Sequence, residues 1–221
     1  MLAAGSGSRV GAASNKVLLP AAGVPVLAWS VRSALAPPYV EELLVVHAPG
    51  ERGPVLDALA VHCPGATVTV LAGGDSRHAS EWHALQALAN RIDAGTLDVV
   101  AIHDGARPLA NPELFDAVLR TAHEHGGALP VRPLPGLIGR DPARRRDAGV
   151  LVGVQTPQAF RAAPLLEAYR RAADDGFEGT DTAVCVERYT GLRVRAVDGP
   201  ATNIKVTFPE DVALAERLLS G

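Results

Sequence analysis

Short apolar, β-branched runs alternate along this chain with alanine- and leucine-rich stretches of helical length, and this alternation most constrains the fold. The apolar runs predict strands over Leu43–His47, Thr67–Leu71, Val99–His103, Ala128–Val131 and Val194–Val197. The stretches between them predict helices over Val26–Leu35, Pro54–His62, Ser80–Asp93, Pro112–Glu124, Ala163–Asp174, Thr182–Thr190 and Pro209–Leu219. The pattern is typical of an α/β fold, a doubly wound, mostly parallel sheet with helices on both faces. Because ligands bind beyond the carboxyl ends of strands in such sheets, functional residues are expected in the loops that follow strands.

Length, net charge and cysteine content further limit the class of protein to which this chain can belong. The 221 residues fit one large domain or two small ones, and we expect a single domain over 1–221. A formal net charge of −3 argues against a nucleic-acid or membrane-surface binder, because both need a basic field. No apolar run approaches the roughly 18 residues of a membrane span. The two cysteines, Cys63 and Cys185, form no CxxC pair, so we expect a reducing, cytoplasmic setting with both thiols in the core.

The segment Arg132–Asp147 interrupts the alternation, since it combines prolines and glycines with Arg140, Arg144, Arg145 and Arg146. It contains too many polar residues, prolines and glycines to form a helix or strand of the core. Two interpretations are open: a disordered linker, or an arm over about 132–150 that packs on a second subunit. Core elements continue on both sides of the segment, which favours the arm.

The amino-terminal region is rich in glycine and carries two cations. It runs Ala3-Ala4-Gly5-Ser-Gly7-Ser-Arg9-Val-Gly11 and reaches Lys16. Small residues let the backbone approach a phosphate, and successive N–H groups can bind its oxygens. The loop matches neither the P-loop spacing nor the dinucleotide-binding fingerprint. The alternative is a flexible, glycine-rich segment that binds no ligand.

Two further loops follow predicted strands. Gly73-Gly74-Asp75 opens the helix that contains Ser80, so its backbone can approach a flat base while Ser80 contacts base or ribose. The alternative is a turn capped by Asp75 or Ser76. Asp104 ends another apolar run, where a carboxylate is well placed for Mg²⁺, although a salt bridge to Arg107 would also explain it.

The carboxyl-terminal part offers candidates for binding an anionic second substrate. Thr180 would supply a hydroxyl and Lys205 a cation, but a helix cap and a solvated surface charge explain them equally well. The polar run Gln155-Thr156-Pro157-Gln158 lies between apolar flanks and predicts a turn or a ligand contact.

Taken in order, these pieces resemble the cytidylyltransferases of the non-mevalonate isoprenoid pathway over nearly the whole chain. The resemblance is carried by AAGSGSR with Lys16 seven residues after Arg9, and by LAGGDSRHAS, HDGARP, VQTPQAF, GTDTA and NIKVTFPED. It implies a homodimeric enzyme that joins CTP to methylerythritol phosphate and releases pyrophosphate. A nucleotidyl-transferase fold with a protruding dimerisation arm is implied as well.

The resemblance also implies a role for each matching residue. Arg9 and Lys16 would stabilise the transition state, and Lys205 would act with them. The nucleotide would lie against Ala3, Ala4, Gly5, Gly7, Gly74, Asp75 and Ser80. Asp104 would ligate Mg²⁺, and the polyol phosphate would contact Lys205 and Thr180, with Thr156 supplied by the dimer partner.

This sequence departs from the family pattern in three places. Only Met1-Leu2 precede the AAG motif, where the family has a longer apolar strand. The Asp-Thr pair that follows Pro-Val in the family is replaced by Pro133-Leu134 after Arg132. The arm arginine lacks a clean match, since Arg146 is the nearest candidate and a gap-free alignment reaches Ala148.

These departures keep other functions open. One is the same chemistry on another acceptor, such as ribitol 5-phosphate, and another is guanylyl transfer. The GGDSRHAS segment favours cytidine over guanosine. A non-catalytic nucleotide-binding protein would be expected to lack Arg9, Lys16 or Asp104, and all three are present. An oxidoreductase that uses a dinucleotide is disfavoured by the glycine spacing.

Overall fold

The computed structural model describes residues 1–5, 15–134 and 151–220. Within these residues the helices are α1 (Val26–Leu35), α2 (Arg52–His62), α3 (Arg77–Asp93), α4 (Pro112–His125), α5 (Ala162–Asp174), α6 (Thr182–Tyr189) and α7 (Pro209–Ser220). The strands are β1 (Leu2–Ala3), β2 (Pro20–Ala21), β3 (Val24–Pro25), β4 (Leu43–His47), β5 (Val68–Ala72), β6 (Val99–Ile102), β7 (Gly127–Pro133), β8 (Val152–Val154), β9 (Gln158–Arg161) and β10 (Val194–Asp198). None of these helices is long and apolar enough to cross a bilayer.

The central sheet has two halves that meet at β1. On one side β1, β4 and β5 pair in parallel, and on the other the order is β10, β7, β9 and β6. A parallel bridge between Leu2 and Asp104 joins the halves, with Leu2 N donating to His103 O at 2.7 Å and Gly105 N donating to Leu2 O at 2.8 Å. Among the described strands of this sheet, β8 and β9 run antiparallel to their neighbours, and the other pairings are parallel. The prediction of a mostly parallel α/β sheet is therefore confirmed.

Helices cover both faces of this sheet, because each contributes an apolar stripe to a separate core. One face is packed by α1, α2 and α4, with Leu27, Val31 and Phe115 buried. The other is packed by α3, α5 and α6, with Leu165 and Tyr169 among its largest buried side chains. This arrangement directs the carboxyl ends of β1, β4, β5 and β6 to one edge.

The predicted strands and helices are all present, and β4 and α1 have the predicted bounds. The strands β1, β2, β3, β8 and β9, each of two to four residues, were not among the predicted ones. Runs that short carry too little periodicity to indicate a strand. β9 is nonetheless central, since it joins β6 to β7 and buries Gln158, Ala159 and Phe160.

A two-stranded antiparallel ribbon marks the base of the expected arm. β7 and β8 pair antiparallel, with Val131, Arg132 and Pro133 opposite Val154, Gly153 and Val152. Leu134 and Leu151 at the end of this ribbon are exposed. The rest of the expected arm, including Arg146 and Ala148, lies outside the described residues.

An apolar cavity of about 940 Å³ lies beside the amino-terminal ends of β4 and β6, away from the edge where the strands end. Met1 lines this cavity, and its backbone N donates to Leu44 O at 2.9 Å.

Candidate functional site

A second cavity, of about 460 Å³, opens at the carboxyl edge of the sheet. Five stretches of the chain meet there. Its wall contains Leu2, Ala4, Gly5, Lys16, Val17, Gly74, Asp75, Ser76, Arg77, Ser80, Asp104, Ala106, Lys205 and Thr207. The residues proposed from the sequence that line it are Ala4, Gly5, Lys16, Gly74, Asp75, Ser80, Asp104 and Lys205. The edge is the one at which a doubly wound sheet binds ligands.

The two glycines that follow β5 are required by close packing. A Cβ on Gly73 would lie 2.7 Å from Ala4 Cβ, and one on Gly74 would lie 2.6 Å from Ala79 Cβ. Gly74 N donates to Ser80 Oγ at 3.1 Å, so the buried Ser80 hydroxyl holds the turn in place. Asp75, by contrast, is exposed at the cavity wall. The expected turn cap is also present, because Ser76 Oγ accepts from Ala79 N at 3.0 Å.

Lys16 reaches the cavity through a short 3₁₀ helix over Lys16–Leu18. Asn15 anchors the start of that helix. Its Nδ2 donates to Ala3 O at 2.8 Å and to Glu51 Oε2 at 2.7 Å, while its Oδ1 accepts from Val17 N at 3.3 Å. Ala3 itself is buried beneath the cavity wall. Asn15 therefore fixes the position of Lys16 relative to β1.

Asp104 is the most strongly paired acid in the cavity. Its carboxylate lies 2.8 Å from Lys205 Nζ, 3.4 Å from Arg77 Nη2 and 3.6 Å from Arg107 Nε. Burial alone would raise the pKa of Asp104, but the three cations outweigh it and hold the pKa far below its usual value. The carboxylate is therefore ionised at any physiological pH, and the salt bridge to Arg107 is one of three rather than an alternative explanation.

Lys205 is held next to Asp104 by the extended segment that follows β10. In that segment Asn203 is completely buried, and its Nδ2 donates to Thr156 O at 3.0 Å and Gln155 Oε1 at 3.1 Å. Val206 N donates to Ala106 O at 2.8 Å. The Lys205 side chain stays 42% exposed, so its ammonium can meet both Asp104 and a ligand. It is not simply a solvated surface charge.

Thr156 lies behind Asp104 and holds it in place. Thr156 is 3% exposed, and its hydroxyl accepts from the Asp104 backbone N at 3.0 Å and lies 3.1 Å from His103 Nδ1. These contacts lie within one chain, and through them Thr156 positions Asp104. That Thr156 also contacts the polyol phosphate bound by a dimer partner stays a prediction. His103 is completely buried, as expected for a core histidine, and burial lowers its pKa to about 3.

Among the described residues, the expected substrate contact Thr180 is not part of this wall. Thr180 is exposed in the loop before α6, and the adjacent Asp181 caps that helix by accepting from Ala183 N at 3.1 Å. Gly7 and Arg9 lie outside the described residues. The sequence analysis missed Arg77, although it stands inside the GGDSRHAS motif. Its cationic side chain directly after a glycine turn was the available signal.

The part of the chain that the structure describes contains no group of three or more His, Cys, Asp or Glu side chains that could hold a metal by themselves. Asp104 is therefore the donor to consider. A single carboxylate suits Mg²⁺, which is commonly bound by one or two carboxylates together with substrate phosphates.

Comparison with known proteins gives consistent matches. The family model for 2-C-methyl-D-erythritol 4-phosphate cytidylyltransferase matches residues 1–221. The enzyme of that name from Symbiobacterium thermophilum is 40% identical over 98% of this chain and 90% of its own length. One from a Synechococcus strain is 37% identical over 98% of this chain and 94% of its own.

Solved structures agree with these sequence matches. The 2-C-methyl-D-erythritol 4-phosphate cytidylyltransferase of Thermus thermophilus superimposes with a TM-score of 0.74 at 31% identity, covering 100% of this chain and 97% of that one. The 4-diphosphocytidyl-2C-methyl-D-erythritol synthase of Anaerococcus prevotii has a TM-score of 0.83 at 22% identity, covering 100% and 94%. The second likeness supports the fold.

Proposed function

This chain belongs to the 2-C-methyl-D-erythritol 4-phosphate cytidylyltransferase family, and we propose that it joins CTP to 2-C-methyl-D-erythritol 4-phosphate with release of pyrophosphate. The observation that supports this most is the meeting of Lys16, Asp104 and Lys205 in the wall of one cavity. A triphosphate carries several negative charges, and cations beside a glycine turn are what it requires.

The reaction needs positioning and charge neutralisation more than proton transfer. An oxygen of the acceptor phosphate attacks the α-phosphorus of CTP, and the bond from that phosphorus to the bridging oxygen breaks. Pyrophosphate leaves with the bonding electron pair. A phosphomonoester is already a competent nucleophile near pH 7, so no general base is needed. Such transfers depend on orientation and electrostatic stabilisation.

We assign the chain's residues to that reaction as follows. Lys16, together with Arg9, stabilises the charge that develops at the α-phosphate. The loop of Ala3, Ala4, Gly5 and Gly7 binds the phosphates through its backbone, and Gly74, Asp75 and Ser80 bound the space for cytosine and ribose. Lys205 orients the phosphate of the acceptor, and Thr180 contacts the polyol.

Asp104 is the proposed ligand of Mg²⁺, and its ionised carboxylate fits that role. When bound, the metal would supply positive charge to the phosphate oxygens. Lys205 is the cation nearest to the carboxylate, at 2.8 Å, and it is partly exposed. It can therefore turn from Asp104 toward the acceptor phosphate when a metal binds.

Assembly and compartment are also proposals. We propose a homodimer in which the arm over about 132–150 packs on the second subunit. The antiparallel pairing of β7 with β8 at the base of that segment and the exposed Leu134 and Leu151 support it. Cys63 and Cys185 are unpaired and buried, which supports a reducing cytoplasm.

A pyrophosphate-release assay tests the function. The protein is incubated with Mg²⁺, one of CTP, UTP or GTP, and an acceptor panel of 2-C-methyl-D-erythritol 4-phosphate, ribitol 5-phosphate and glycerol 3-phosphate. We expect release only with CTP and the methylerythritol phosphate. Faster release with ribitol 5-phosphate would reassign the acceptor, and no release with any pair would refute cytidylyl transfer.

A further inference from the structure

Arg77 is a cation of the cavity wall to which the proposed reaction assigns no role. It is the first residue of α3, and its side chain is 26% exposed at the cavity. Its Nη2 lies 3.4 Å from Asp104 Oδ1. Its Nη1 donates to Glu81 and to Thr182 Oγ1, the latter at 3.3 Å. The Arg77 guanidinium therefore contacts both Asp104, which follows β6, and Thr182, the first residue of α6.

A buried acid, Glu81, holds the Arg77 guanidinium in place. Glu81 is 2% exposed, and it accepts from the hydroxyls of Tyr169 and, at 2.9 Å, of Thr182. A buried carboxylate is costly unless it is paired and hydrogen-bonded, and Arg77 supplies the pairing charge. These partners come from α3, α5 and α6 and leave the side chain little freedom to move. An arginine suits this position because the N–H donors of its planar guanidinium have fixed directions.

Thr182 connects this network to the loop expected to meet the acceptor. It is the first residue of α6 and completely buried, two positions after the exposed Thr180. The residue between them, Asp181, is fixed as well, because its carboxylate accepts from Gln158 Nε2 at 3.0 Å. A shift of Arg77 would thus move the acceptor loop relative to Asp104.

We propose that Arg77 is a positioning residue that sets the distance between the Asp104 carboxylate and the acceptor loop, through Glu81 and Thr182. This rests on the proposed function, because the acceptor role of that loop belongs to it. The proposal separates the two substrates. Arg77 governs how the acceptor phosphate is presented to the α-phosphorus, while the nucleotide is bound by other parts of the wall.

The test compares the variants Arg77→Met, Arg77→Lys and Thr182→Val with the wild-type protein, each titrated with CTP and with the acceptor. For Arg77→Met we expect the acceptor KM to rise at least about 10-fold and kcat to fall about 100-fold, with the CTP KM within about threefold. Arg77→Lys keeps the positive charge but lacks the planar guanidinium. Its acceptor KM and kcat should therefore lie between those of wild type and those of Arg77→Met. Thr182→Val should raise the acceptor KM with little effect on the CTP KM.

A matched control is Arg91→Met, which removes an arginine from the same helix. Arg91 pairs with Glu41 and Glu42 near the surface, and its kinetics should equal those of wild type. Thermal unfolding of each variant shows whether it is folded, and Thr182→Val is the milder change should Arg77→Met fail to fold. Equal rises in both KM values, or wild-type kinetics in folded Arg77→Met and in Thr182→Val, would overturn the proposal alone. A wild-type protein without turnover would instead refute the proposed function and this inference with it.

Discussion

Replacing Lys16 with alanine should lower kcat by about 100- to 1,000-fold or more, because one preorganised charge at a phosphoryl-transfer transition state contributes about 3–4 kcal/mol. The geometry supports a direct role. Asn15 ties the start of the Lys16 helix to Ala3 O, and the lysine lines the same cavity as Asp104. Single-turnover pyrophosphate release at saturating CTP and acceptor measures the chemical step and separates it from substrate binding.

Lys16→Arg is the matched variant for this prediction. It keeps the charge but spreads it over a larger, planar group, so kcat should recover only in part. Unfolding temperatures close to wild type would show that the fold is intact, since Lys16 is not a core residue. A folded Lys16→Ala protein with near-wild-type turnover would remove Lys16 from the mechanism.

Asp104→Asn should abolish turnover while leaving metal-free binding of CTP intact or stronger. The substitution removes the proposed Mg²⁺ ligand, and it also removes the charge that neutralises Arg77, Arg107 and Lys205. The cavity would then carry one negative charge fewer near the triphosphate. We expect kcat to fall about 1,000-fold, and Mg²⁺ should no longer strengthen the binding of CTP.

The same variant should lose stability. Breaking a fully buried ion pair costs about 3–5 kcal/mol, and the cost here should be nearer 1–3 kcal/mol because Lys205 and Arg77 are partly exposed. Calorimetric titration of CTP with and without Mg²⁺, beside thermal unfolding, measures both effects. CTP binding that weakens equally with and without metal would contradict the proposed role of Asp104.

Local sequence was sufficient to predict most helices and strands, because the spacing of apolar residues along a long segment indicates its secondary structure. β4 and α1 are long enough for their patterns to fix the bounds. β9 is buried and central, but its four residues run straight into α5, so no pattern separates strand from helix. The antiparallel direction of β9 follows from its pairing with β6 and β7. The four residues of β9 do not by themselves indicate that pairing.

Residues of the site were predictable where they follow a strand or a glycine turn, as Asp104 and Gly74 do. Contacts between residues distant in sequence were not predictable. Nothing local indicates that the Thr156 hydroxyl accepts from the backbone N of Asp104. Arg77 was not singled out because Thr182, its hydrogen-bond partner, lies 105 positions away. Side-chain direction in a shared cavity follows from the tertiary fold, not from the motif.

The central claim is that separate parts of the chain bind one triphosphate between Lys16 and Asp104, with Lys205 beside it to orient the acceptor phosphate. A crystal structure of the protein with CTP and Mg²⁺ tests it most directly. The account predicts the triphosphate in the cavity at the carboxyl edge, with its α-phosphate within reach of Lys16 and the metal between Asp104 and the phosphate oxygens. A nucleotide bound elsewhere, or Lys16 and Asp104 too far apart to contact the same triphosphate, would contradict it.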